Sequence, residues 1–152
     1  MNPGIIRRLA IIVLACLASA CSLTRPKHEP GELGRRFSAT VPGTWAGDVS
    51  GNGTHCRMIK QFHPDGTAKG VLILKRKENG VTLVMPEIPF TSRWRVTGDM
   101  VETYAIKTGV SGMFRKDEVI RDTILSVSNE RIVSRSTRTG EIEIITRLSA
   151  IR

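Results

Sequence analysis

Phe90-Thr91-Ser92-Arg93-Trp94-Arg95-Val96-Thr97-Gly98-Asp99 decides the fold class. Phe90, Ser92, Trp94 and Val96 alternate with Thr91, Arg93, Arg95 and Thr97. Successive side chains of a strand point to opposite faces, so this period of two predicts a half-buried strand. One face turns to a core and the other, polar and basic, to water. Gly98-Asp99 then supplies the turn chemistry that ends the run. Upstream, Pro86 and Pro89 interrupt the backbone ladder, because proline cannot donate to it.

Working outward, the same punctuation recurs. Asn79-Gly80 is the best hairpin signal, since a type I′ turn needs positive φ at both central residues. It joins Ala68 to Arg76, containing Val71-Leu72-Ile73-Leu74, to Val81 to Met85. Pro64-Asp65-Gly66-Thr67 separates that hairpin from His55 to His63, and Gly51-Asn52-Gly53 separates His55 from a first strand, Thr44 to Ser50. Downstream lie Met100 to Thr108, a looser segment from Gly109 to Glu118, Asp122 to Ser128, Arg131 to Arg138 and Glu141 to Leu148. In the last strand Ile142, Ile144 and Leu148 are expected on one face, and Glu141 and Glu143 on the outward one. Val119 to Leu125 holds four β-branched residues, which argues against a helical turn there. Short strands at 8–12-residue spacing are the signature of a sandwich or barrel. The expectation is all-β: an antiparallel up-and-down meander of eight to nine strands, closing because closure removes exposed edges.

The 152 residues suit one domain, and 40% hydrophobic content is enough for a core. Aromatics are only 5%, so Val, Ile and Leu must carry most of that core. Residues 22–42, with Pro26, Pro30, Pro42, Gly31 and Gly34, show no sustained period and read as a flexible tether. The folded unit is expected over 43–152.

The N-terminus reads as an address. Arg7 and Arg8 precede Leu9 to Leu17, nine apolar residues, and Ala18-Ser19-Ala20 follows. A membrane-spanning helix needs about 20 apolar residues, so this run matches a secretory signal over 1–20 instead. Leu17-Ala18-Ser19-Ala20-Cys21 resembles the lipobox of bacterial lipoproteins. The resemblance implies cleavage between Ala20 and Cys21 and acylation of Cys21, which starts a lipidated tether over 21–42. Ser22, where an Asp commonly signals inner-membrane retention, implies an outer-membrane, periplasm-facing destination.

Three pieces are similar to bacterial lipocalin-like domains: Gly43-Thr44-Trp45, Phe62-His63-Pro64-Asp65-Gly66-Thr67 and Trp94-Arg95-Val96-Thr97-Gly98-Asp99. This resemblance implies a small barrel over 43–148 that holds a small hydrophobic ligand or serves as an envelope interaction module. Trp45 and Trp94 are expected in the core, each with a partner for its indole N–H, and an arginine could stack on such a ring.

Chemistry-bearing constellations are sparse. With Cys16 removed and Cys21 acylated, Cys56 is left alone, so no disulfide framework is expected and burial is favoured. His55 and His63, if on one strand, stand about 26 Å apart at 3.3 Å per residue, and Cys56 points the other way. No metal site, cofactor or catalytic set is therefore expected, and the protein reads as a non-enzyme. Asp117, Glu118 and Asp122, interleaved with Lys116 and Arg121, read as a solvated loop. Arg138 and Arg147 are expected to pair with Glu141 and Glu143.

A formal charge of +9 favours anionic partners. For an exported, anchored chain these are envelope components rather than nucleic acid. Two functions compete. One is a carrier of a small apolar or amphiphilic ligand. The other is a filled barrel that binds an anionic polymer or protein through Arg93, Arg95 and Lys75-Arg76-Lys77. Tyr104-Ala105-Ile106-Lys107-Thr108-Gly109 is similar to a segment of small lipoproteins that inhibit lysozyme, although a cationic lysozyme would be repelled.

Overall fold

A computed structural model describes residues 29–51 and 54–149. The expected signal segment, the expected Ala20–Cys21 cleavage and lipidation site, the first part of the expected tether and the expected Asn52-Gly53 turn lie outside the described residues.

One helix precedes nine strands: α1 (Glu32–Thr40), β1 (Gly43–Gly51), β2 (Thr54–Phe62), β3 (Thr67–Glu78), β4 (Val81–Val84), β5 (Ile88–Thr97), β6 (Met100–Thr108), β7 (Ile120–Val127), β8 (Arg131–Ser136) and β9 (Ile142–Arg147). Every pairing is antiparallel. Because β1 pairs with β9 and β2 with β3, eight strands close into a lipocalin-like barrel. β4 stays outside the ring and pairs with β3 alone. β3 is long enough to do both: Thr67 to Leu72 meets β5, and Lys75 to Glu78 carries β4 beyond the rim.

The turns follow their sequences. Asn79 and Gly80 take φ of 48° and 80°, the two positive values that a type I′ turn requires. The Asp65 carboxylate accepts from Thr67 N at 2.9 Å and from Thr67 Oγ1 at 2.7 Å, which fixes the β2–β3 turn. β5 alternates buried and exposed along Ile88 to Arg95, as its period of two demands.

Residues 31–41 correct the expectation of a tether. They belong to the folded unit, because α1 plugs one end of the barrel. Leu33, Phe37 and Val41 recur at the i, i+4, i+8 spacing of a helical face, and Phe37 and Val41 are buried in the core. Gly34 lies against Gly98 O, where a Cβ would collide. The β5–β6 turn secures the first turn of α1: Gly31 N donates to Gly98 O at 2.9 Å and Gly34 N donates to Asp99 Oδ1 at 2.9 Å. Asp99 thus supplies the acceptor and the negative charge that a helix N-terminus favours.

β9 corrects a second expectation, since its faces are reversed. Glu143, Ile145 and Arg147 turn inward, while Ile142 and Ile144 are exposed. Adjacent Ile144 and Ile145 made either parity possible from apolar content alone. Ile145 settles it by filling the space over Gly47, next to the core. Arg147 settles it further by lying over the Trp45 ring at 4.4 Å and donating to the carbonyls of Thr40, Pro42 and Asn129. One guanidinium therefore joins β9, β1, the end of α1 and the β7–β8 turn.

Candidate functional site

The barrel interior is built in two halves. In the half beneath α1, Phe37, Phe62 and Trp94 form a triangle of edge-to-face rings with centroids 5.8–6.2 Å apart. Trp45, Val41, Val101, Ile124, Val127 and Ile132 complete this core. Both indoles are satisfied as a buried Trp requires: Trp45 Nε1 donates to Val41 O at 2.7 Å and Trp94 Nε1 to Thr67 O at 3.2 Å. The second bond joins two of the lipocalin-like segments, Phe62 to Thr67 and Trp94 to Asp99.

Above this core the inner wall turns polar. Lys60 of β2 lies between Trp45 of β1 and Gly70 of β3, and its side chain is buried. Gly70 has no room for a side chain, because the Phe90 ring rests against it. The Lys60 ammonium donates to Thr103 Oγ1 at 3.3 Å and sits 4.5 Å from the centre of the Phe62 ring. Asp122 of β7 and Glu143 of β9 face the same interior. Among the described residues neither carboxylate forms a direct ion pair with Lys60. Burial pulls the Lys60 amine down to about 8, against the opposing pull of Asp122 and Glu143. Burial pushes the Asp122 carboxyl up, and Lys60 only partly offsets it. Burial also pushes Glu143 up, reinforced by the Asp122 charge. Each group is moved toward its neutral form by loss of water. Among the described residues Asp122 Oδ1 and Ser92 Oγ find no hydrogen-bond partner although buried, which is uncommon for polar atoms in a folded interior.

The other half of the interior is not sealed. Cys56, Met58, Leu72 and Leu74 share the inward parity of Lys60 and are only half-buried, while Ile88 and Phe90 opposite are buried. Val49, on the same parity as Trp45, is 49% exposed. The inner wall is thus apolar and partly exposed on the side away from α1, and polar above the aromatic core.

The sequence anticipated some of these residues and misplaced others. Trp45 and Trp94 are core residues. Asp122 is buried inside the barrel rather than part of a solvated loop, because it pairs with Val101 and Ser136 on inward positions. Glu143 and Arg147 make no outward cross-strand pair. Arg138 instead meets Glu118 at 3.3 Å, and Glu118 accepts from Arg115 N at 3.0 Å. Cys56 is half-buried rather than buried, and desolvation with the nearby Asp48 charge raises its thiol. His55 bonds to Asp48 at 3.1 Å and to Ser50 Oγ at 2.9 Å, whereas His63 follows β2 in the turn. Lys60 had no flag in the sequence beyond one lysine inside a strand. The available hint was its even spacing from Met58 and Phe62, two residues of an inward face.

The outer wall holds the basic residues. Arg95, Glu102 and Arg121 stand directly opposite one another across β5, β6 and β7, with contacts of 2.5 and 2.8 Å. Burial would raise the Glu102 carboxyl, but the bonds from Arg121 and Arg95 overcome it and hold it below the usual range. A separate outer cleft of about 400 Å³ is lined by His63, Lys69, Arg93 and Lys107. It lies at a register shift in the β5–β6 ladder, beside Ala105 at φ 51°.

Among the described residues no group of three His, Cys, Asp or Glu side chains is placed to hold a metal ion. No protein-family model and no curated protein sequence matches this chain.

Proposed function

We propose that this chain is a binding protein whose barrel holds a small amphiphile. The polar group of the ligand would meet Lys60, Asp122 and Glu143, and its apolar body would lie along Met58, Leu72, Ile88 and Phe90. The observation that carries this reading is an inner wall covered by α1 at one end and partly exposed at the other, with a buried and incompletely paired polar layer between. Ligand pockets combine apolar walls with a few convergent polar groups, and barrel mouths are a preferred place for them. The lipobox-like Leu17-Ala18-Ser19-Ala20-Cys21 supports tethering of the domain to the envelope through an acylated Cys21. Two or more chains anchor stably, because each buried methylene contributes about 0.8 kcal/mol.

The test is native mass spectrometry of the exported chain at low activation, alongside Lys60→Met and Asp122→Asn. The expected result is a reproducible added mass that both variants reduce. A chain that stays bare, and whose melting is unmoved by an envelope lipid extract, would overturn the carrier reading.

A second reading rests on the outer cleft. His63, Lys69, Arg93 and Lys107 form no ion pairs among the described residues, which suits an anionic polymer. Under this reading retention on immobilised polyphosphate falls in Arg93→Gln with Lys107→Gln and falls steeply with salt.

A further inference from the structure

The β3–β4 hairpin is the part of the molecule that burial leaves unexplained. Val81, Leu83, Val84 and Met85 are 47–63% exposed and consecutive but for Thr82. Scattered exposed apolar residues are normal, but a contiguous apolar patch marks an interaction surface. Among the described residues strand β4 has one partner, β3, and no other element covers its faces. Register then sorts its side chains. Leu83 stands opposite Arg76, and Val81 opposite Glu78, while Met85 N donates to Leu74 O at 2.9 Å. These positions share the parity of Leu72 and Leu74, so the inner-wall face continues past the rim with Val81, Leu83 and Met85 on β4 beside the Arg76–Glu78 pair on β3. Val84 opposite Lys75 and Thr82 opposite Lys77 occupy the other face.

Charge selects the occupant. Arg76 is held by Glu78 at 3.9 Å, whereas Lys75 and Lys77 carry no ion pair among the described residues. Glu87 is the other acid close in sequence, and the chain as a whole is +9. Apolar side chains beside free lysines suit the interface of an anionic bilayer, where hydrocarbon enters the acyl boundary and each cation near the surface contributes about 1 kcal/mol. Lysine stems also lie along apolar surface while keeping the ammonium in water.

We infer that the β3–β4 hairpin docks edge-on against an anionic phospholipid bilayer, β4 entering first so that Leu83 and Met85 on one face and Val84 on the other reach the acyl boundary, while Lys75 and Lys77 on β3, one strand further out, meet the headgroups. Docking orients the mouth of the barrel toward the membrane. The hairpin holds this role whether or not the lumen carries a ligand.

The test places a reporter at the hairpin of the full chain, because any N-terminal anchor would dominate bulk vesicle binding. Leu83→Trp adds one exposed indole, and Thr123→Trp adds one on the outer wall of β7 as a control. Each is mixed with vesicles of one-third phosphatidylglycerol whose lipids carry brominated acyl chains. The expected result is quenching of the added emission at least threefold stronger at position 83 than at 123, lost when Lys75→Gln and Lys77→Gln are added. Equal quenching at both positions, or none at 83, overturns the inference. So does a concentration-dependent dimer that Val84→Lys abolishes, which would make the free edge of β4 a contact between two copies.

Discussion

At the α1 end of the barrel Trp45, Val41, Ile124 and Ile132 are 2% exposed or less, whereas Val81 and Val84 beyond the opposite rim are 59% and 63% exposed. The two ends are made from similar residues, and what differs is whether an element covers them. At one end Phe37 and Val41 descend from α1 onto the barrel, and Arg147 ties the end of the helix to β9 and β1. At the other, β3 outgrows the ring and carries β4 into solvent. Stability should therefore concentrate at the plugged end and binding at the open one, since binding surfaces are drawn from less densely packed regions.

The largest expected effect tests the plug. Phe37→Ala removes one ring of the aromatic triangle and should cost about 3–5 kcal/mol, the usual range for a buried aromatic. Trp45→Ala should cost at least as much, because it also leaves the Val41 carbonyl without its indole donor and removes the ring beneath the Arg147 guanidinium. Chemical denaturation with both far-ultraviolet and near-ultraviolet dichroism is the measurement. A loss under 1 kcal/mol for Phe37→Ala would mean that α1 is an accessory and the barrel closes without it.

The polar floor comes next, through pH. The Lys60 amine is ordinary at 10.5 when unfolded and about 8 when folded. Between those values the unfolded chain binds more protons, so stability rises with pH, by up to about 3 kcal/mol for a shift of this size. The carboxyls of Asp122 and Glu143 have the opposite sign: raised in the fold, they make stability fall as pH climbs from their unfolded range through their folded values. Lys60→Met should abolish the alkaline gain relative to the parent chain. It should also raise both carboxyls further, because Lys60 is the opposing charge for each, and carbon-detected NMR titration would read this directly.

How much of this was legible depended on whether a pattern had one solution. β5 did, because Phe90, Ser92, Trp94 and Val96 leave no competing parity, and its observed alternation follows. Asn79-Gly80 was equally unambiguous. β9 had two solutions, and the choice fell to Gly47 and Trp45, residues a hundred positions earlier that no local pattern reveals. The helix was present in Leu33, Phe37 and Val41, but nine residues flanked by prolines are too short to stand out, and isolated helices of that length are marginal. Its stability comes from packing Phe37 and Val41 onto the barrel and from the turn at Gly98-Asp99, a contact across 65 residues. The Lys60, Asp122 and Glu143 floor was hidden for the same reason: three strands distant in sequence supply one charged side chain each.

A smaller effect isolates that long-range contact. Asp99→Ala removes the acceptor for Gly34 N and should cost about 1 kcal/mol, typical of a lost helix cap. Asp99→Asn keeps an acceptor while removing the charge, so it should recover about half of that loss. Amide hydrogen exchange at Gly34 and Arg35 would locate the change at the first turn. Uniform exchange increases across β7 and β8 instead would show that the turn supports the barrel rather than the helix.

The smallest expected effect completes the contrast between the ends. Val84→Thr and Leu83→Thr together should change stability by no more than about 0.5 kcal/mol, because exposed apolar side chains away from any packed feature contribute little. Threonine keeps β propensity on an edge strand, so the hairpin itself should persist with its Asn79-Gly80 turn intact. The same pair of changes should remove apolar area from the one hairpin that the ring does not need. A double variant that melts like its parent would show that Val84 and Leu83 contribute little to folding. One that loses 2 kcal/mol or more would instead bring β4 into the cooperative unit and erase the distinction between the plugged and open ends.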